Sequence, residues 1–179
     1  MKIRETIRRT RVSVEEAVFV KEQDNKLYIR AAGHVTAGIS ATLRQRIYRR
    51  LEKPPAPEAI YVDLSSCEYM DSTFMGLLVG FTKRFEKLTG KRLELPVPSG
   101  TCAGLLENLG IHTLLEILDR PVGFPDDMEN VAKTDAASTE FILRSHEDLI
   151  EISEENRKRF ALLHKILKRK LEEPNESDG

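Results

Sequence analysis

Ile60-Tyr61-Val62-Asp63-Leu64-Ser65, followed after four residues by Met70-Asp71-Ser72-Thr73-Phe74-Met75-Gly76-Leu77-Leu78, is the stretch on which the reading of this chain turns. Its first part, taken as Ala59 to Leu64, is short, apolar and partly β-branched, the composition of a buried central strand. Its second part opens a helix over Thr73 to Leu88. There Phe74, Leu77, Leu78, Phe81, Phe85 and Leu88 form one apolar stripe, while Lys83, Glu86 and Lys87 face water. Gly90 closes the helix, and Gly76 and Gly80 within it suit a tight packing position. Ser72 is then expected at or just outside a helix N-terminus, where free N–H groups accommodate a phosphate and the dipole favours its charge. Asp71 beside it is able to cap the helix or to position the serine hydroxyl. On this local pattern a plain cap and a phosphoacceptor are both open readings, the cap being the commoner. A hydrolytic nucleophile is disfavoured: the motif supplies no histidine as base, and the Gly-x-Ser-x-Gly elbow is missing. An enzyme is not expected.

Upstream, Ala17 to Lys21 and Lys26 to Ala32 read as a hairpin around Gln23-Asp24-Asn25, a turn longer than the two-residue ideal; Gly33 breaks the pattern. Ala37 to Leu51 reads as a helix with Ile39, Leu43 and Ile47 on one face. Thr36 is its expected N-cap, and Pro54, Pro55 and Pro57 terminate it. Downstream, Arg92 to Val97 reads as a strand, Cys102 to Asn108 as a short helix and Thr113 to Ile117 as a last strand. The order β-β-α-β-α-β-α-β predicts an α/β fold, a mostly parallel or mixed β-sheet covered by helices.

The expected organisation is an N-terminal arm (1–16), a domain (17–118), a linker (119–134), a C-terminal helical extension (135–173) and a polar, disordered tail (174–179). In the extension Phe141, Ser145, Leu149 and Ile152 share one face. Ser153 caps a second helix on which Phe160, Leu163, Leu167 and Leu171 share another. These faces need a surface to bury against: the domain, another chain or a different protein. Self-association as a homodimer is the first choice, and the basic amphipathic end also suits a membrane surface or a groove.

Composition narrows the classes. With 28 basic and 29 acidic residues the formal charge is −1, which argues against a nucleic-acid partner. No apolar run reaches the length of a membrane span, and Met1 to Arg11 has no signal-peptide core, so a cytoplasmic location is expected. Cys67 and Cys102 show no metal spacing and indicate no disulfide framework. His34, His112, His146 and His164 are scattered and read as surface or helix residues. No Walker or dinucleotide fingerprint is present, so neither cofactor nor metal is expected.

The segment resembles the STAS domain, named for sulfate transporters and anti-sigma-factor antagonists. The matching pieces are Ile60 to Ser65, Met70 to Thr73 and Gly76-Leu77-Leu78, in order with Gly33, Gly90-Lys91 and Leu109-Gly110-Ile111; the similarity spans Ala17 to Ile117. It implies an anti-sigma-factor antagonist, a phosphoprotein that switches partners in signal transduction and transcription regulation. Ser72 inherits the role of phosphoacceptor, with Thr73 the weaker alternative and Asp71 supporting. The implied partners are a serine kinase that doubles as an anti-sigma factor, of the histidine-kinase-like ATPase superfamily, bound by the unphosphorylated form, and a PP2C-type phosphatase. The partner surface is expected on the loop at His34, Val35 and Thr36 and on Met75 and Val79, off the main stripe of the helix; core is the other place for Met75. The chain departs from the family pattern at His34-Val35-Thr36, where an acidic stretch is usual, and at Phe74, where glycine is usual. A second reading is a non-phosphorylated scaffold or dimerisation subunit in a signalling complex.

Overall fold

The computed structural model describes residues 14–134 and 136–173; most of the expected N-terminal arm and the 174–179 tail lie outside them. The elements in chain order are β1 (Ala17–Gln23), β2 (Lys26–Val35), α1 (Ala37–Leu51), β3 (Ala59–Met70), α2 (Ser72–Thr89), β4 (Glu94–Pro96), α3 (Gly100–Asn108), a 3-10 turn (Ile111–Leu114), β5 (Glu116–Leu118), β6 (Glu129–Asn130), α4 (Thr139–Ile150) and α5 (Glu154–Glu172).

The six strands form one sheet in the order β5-β4-β3-β2-β1-β6. From β2 to β5 neighbours run parallel, each joined to the next through a helix. The β1–β2 and β1–β6 pairs are antiparallel. Side chains alternate across a strand, which places Val18, Val20, Leu27, Ile29, Ala31, Ile60, Val62 and Leu64 on one face. All are buried, with the helical side chains Ile39, Leu43, Ile47, Leu78, Phe81 and Phe85, in the main core. On the other face Tyr28 stacks on Tyr61 at 5.4 Å, and Phe124 meets Tyr28 edge-on. Arg30 lies over the Phe124 ring and bonds Asp63. The segment after β5 therefore covers part of this second face.

Several local expectations change. The β1–β2 turn is a two-residue one: Asp24 and Asn25 both have positive φ, the type I′ geometry that matches strand twist. Gly33 does not end β2. The strand continues to Val35 through irregular pairing with β3, and Gly33 takes φ +67° where a Cβ would lie 2.8 Å from the Glu15 backbone. The strand expected over Ala59 to Leu64 also runs on, to Met70. The Thr113–Ile117 strand is instead a 3-10 turn followed by the shorter β5. The segment expected as a linker contributes β6, which extends the sheet beyond β1. Leu88, expected on the α2 stripe, is half exposed.

The C-terminal helices pack in cis. Lys83 on α2 bonds Asp148 and Glu151 at the end of α4. The buried Asn156 of α5 donates to the carbonyls of Leu109 and Leu149, tying the start of α5 to the α3 end and to α4. Ser138 and Ser153 cap α4 and α5 through their hydroxyls. Leu162, Ile166 and Leu171 stay exposed on α5.

Candidate functional site

Asp71 is the first organising residue. Its Oδ1 accepts from the Phe74 N–H at 2.8 Å, capping α2, and its Oδ2 accepts from the Ala37 N–H at 2.8 Å, capping α1. One carboxylate thus satisfies free N–H groups at two helix N-termini. Burial pushes its pKa above the usual carboxylate value, against the lowering effect of these N–H bonds. Thr36 occupies the N-cap position of α1, but its hydroxyl makes no cap bond; it donates to Glu16 at 2.7 Å. Of the two roles open to Asp71, capping is the one its contacts support.

Ser72 is the first residue of α2, not a residue outside it. Its Oγ lies 2.8 Å from Nε2 of His146 on α4. The His146 Nδ1 is 2.8 Å from the Ile142 carbonyl. A carbonyl only accepts, so Nδ1 carries the proton. In the neutral ring Nε2 is then the acceptor, and the serine hydroxyl donates to it. His146 is 1% exposed, with its ring edge-on to Phe160 at 5.2 Å. Of the two places read for this histidine, surface or helix, it takes the helix and is buried there; the motif itself holds no histidine, but the fold brings one to Ser72. The base comes from 74 positions away, and no spacing rule reports that.

α4 crosses α2 at Gly76, where a Cβ would lie 2.6 Å from the Ser145 carbonyl carbon. Gly80 opens the same seam one turn on, towards Asp148 and the Tyr48 hydroxyl. The α2 positions expected to face a partner belong to the core instead: Met75 is 6% exposed and Val79 is fully buried. Thr73, the alternative acceptor, is also buried. At the end of β2 His34 is exposed and Val35 is buried, and Thr36, between β2 and α1, is half-buried. His34 stands 3.6 Å from Glu68 and beside the Tyr69 ring. The structure therefore brings Asp71, Ser72 and the start of α1 together, leaves His34 open, and places Met75 and Val79 in the core.

Chemically, the Ser72–His146 pair has a polarised hydroxyl on a half-buried serine. A groove of about 470 Å³ is lined by His34, Ser66, Glu68, Ser99 and Thr101, with neither Ser72 nor His146 in its wall. Cys67 and Cys102 are buried free thiols, Cys102 Sγ lying 3.4 Å from the Cys67 carbonyl. Among the described residues no group of three His, Cys, Asp or Glu is placed to hold a metal ion, and no helix is long and apolar enough to cross a membrane.

Burial holds the His146 pKa below its ordinary 6.5, against the raising effects of the Ile142 carbonyl and Asp71 on α2; His164 on α5 lowers it further. The unfolded chain then takes up this proton first as pH falls. The contribution of His146 to stability is therefore fully present above about pH 6.5 and is lost as pH drops through the folded value. Asp71 and Asp148, raised by burial, act in the opposite sense, so the histidine is isolated by difference. Urea unfolding between about pH 7 and about pH 5 should show a steeper loss of stability for the wild type than for His146→Gln. Identical slopes would mean that the ring is not held neutral by its burial.

Residues 17–121 match the STAS domain family, a match that ends before α4. Three solved structures are similar. SpoIIAA, a Bacillus cell fate determinant, in its phosphorylated form is 19% identical, with 58% of this chain and 93% of that chain covered at a TM-score of 0.49. The anti-sigma factor antagonist SpoIIAA in its unphosphorylated form is 21% identical, with 59% and 90% covered at 0.44. A candidate anti-sigma factor antagonist from Thermotoga maritima is 19% identical, with 56% and 85% covered at 0.49.

Proposed function

Since this chain belongs to the STAS domain family, we propose that it is a phosphorylation-controlled anti-sigma-factor antagonist, a cytoplasmic binding module rather than an enzyme. In this reading the unphosphorylated chain binds a serine kinase that is also an anti-sigma factor. Phosphate placed on Ser72 by that kinase ends the complex, and a PP2C-type phosphatase restores it. The observation that carries the reading is the Ser72 hydroxyl at the first position of an 18-residue helix with no acidic residue in its first turn. A phosphate there meets the positive end of the dipole, and its charge of roughly −1.5 to −2 at a docking surface opposes a partner by repulsion and desolvation.

Wild type, Ser72→Ala and Ser72→Asp, each used as bait for co-purification, test this, with mass spectrometry for phosphate at Ser72. The expected result is a partner retained by wild type and Ser72→Ala, lost by Ser72→Asp, and phosphate on the wild-type serine. Equal retention by all three, with no phosphate, would favour the second reading, a non-phosphorylated scaffold. That reading draws on the burial of Met75 and Val79, two of the positions expected to face a partner.

A further inference from the structure

We propose that the α4–α5 hairpin competes in cis for the docking face of α2, and that its seating and a phosphate on Ser72 exclude one another; the regulatory meaning rests on reading Ser72 as the phosphoacceptor. Three observations meet at one face. The Ser145 backbone of α4 lies against Gly76, so nothing else can approach that side of α2 while α4 is seated. Gly80, one turn on, faces Asp148 of α4, which Lys83 of α2 also holds. The Ser72 hydroxyl proton is already committed to His146 Nε2 at 2.8 Å.

Phosphorylation changes that last contact from favourable to opposed. Transfer from a nucleoside triphosphate forms the Oγ–P bond, breaks the bond to the leaving diphosphate and passes the hydroxyl proton to a base of the kinase and on to solvent. That proton is the one His146 now accepts. The product places anionic oxygens against an unprotonated ring nitrogen, in a half-buried site already holding the Asp71 carboxylate. The seated hairpin in turn keeps a kinase from the hydroxyl. The two effects are one coupling free energy seen from two sides: whatever phosphate costs α4 docking, α4 docking costs phosphorylation. Release is local, because the hairpin begins at Thr139, after the last strand, and contributes no strand to the sheet.

The full-length chain tests this without a kinase. Amide hydrogen exchange should show α4 in Ser72→Glu losing protection by about tenfold or more, and in Ser72→Ala changing by less than about twofold, with β2 and β3 unchanged in both. Wild-type protection of α4 in Ser72→Glu would overturn the proposal. So would an equal loss across β2 and β3, which would make Ser72 a support of the whole domain.

A second measurement uses Ser72→Cys. Its alkylation by iodoacetamide should accelerate about tenfold when Lys83→Glu also breaks the bonds to Asp148 and Glu151, reporting the opening of α4. An unchanged rate would overturn the occlusion. The outcome stays distinct from that of the phosphoswitch. Hairpin release by Ser72→Glu with no phosphate found on Ser72 sinks the switch and leaves the competition standing. Phosphate on Ser72 with α4 still protected sinks the competition alone.

Discussion

Replacing Gly76 with alanine should unseat α4 and lower stability by roughly 3 kcal/mol or more, the top of the range for overpacking a tight contact. The new methyl would meet the Ser145 carbonyl carbon at 2.6 Å and its Cα at 3.0 Å. These atoms belong to a helix backbone, which cannot turn aside as a side chain would. The whole of α4 has to move, and Phe141 and Leu149 then lose their burial against the core. Urea denaturation gives the total, and amide exchange assigns the loss to α4 and α5. A change below about 0.5 kcal/mol would show a crossing with slack in it.

Asp71→Ala should cost roughly 2–4 kcal/mol, the sum of two N-cap losses of about 1–2 kcal/mol each. The variant leaves the N–H groups of Ala37 and Phe74 without their acceptor. Asp71→Asn keeps one amide oxygen and turns an N–H donor towards the other site, so it should recover about half of the loss. The fingerprint is spatial: exchange should rise in the first turns of both α1 and α2, which follow different strands. A response confined to α2 would sink the shared-cap account.

Local chemistry made much of this arrangement legible. The periodicity of Ile39, Leu43 and Ile47 and the prolines beyond fit α1 at Ala37–Leu51, and Ser153 caps α5 as its position before Glu154 and Glu155 suggests. The ordered STAS-like pieces anticipated a mostly parallel sheet. Strand ends were harder. Ser65, Ser66 and Glu68 look like a turn in isolation, and only the pairing of Cys67, Tyr69 and Met70 with β2 keeps that backbone extended.

The cover over the site was half written. Every residue from Thr73 to Thr82 is buried. A helix apolar on all sides is enclosed on all sides. Gly76 and Gly80, spaced one turn apart, mark where a second helix approaches, and the Phe141–Ser145–Leu149 face, with its small central residue, is the complement. The apolar faces were readable, but their pairing in cis was not. The meeting of His146 with Ser72 depends on the rotation of α4 about its own axis, which packing against α2 sets and no motif encodes.

The anchoring of the chain just ahead of α4 has a consequence for any competitor. The Val131 N–H donates to the Val18 carbonyl, Lys133 pairs with Glu16, and Thr134 bonds the Gly38 carbonyl through both its N–H and its hydroxyl. The α4 helix starts at Thr139, only a few positions along the chain from the anchored Thr134, a separation that at about 3.5 Å per residue is short against the size of the domain. A freed hairpin therefore stays near α2 at an effective concentration on the order of millimolar. A partner arriving at micromolar levels faces a rival already present at about a thousandfold excess, so it must bind that face far more tightly than α4 does.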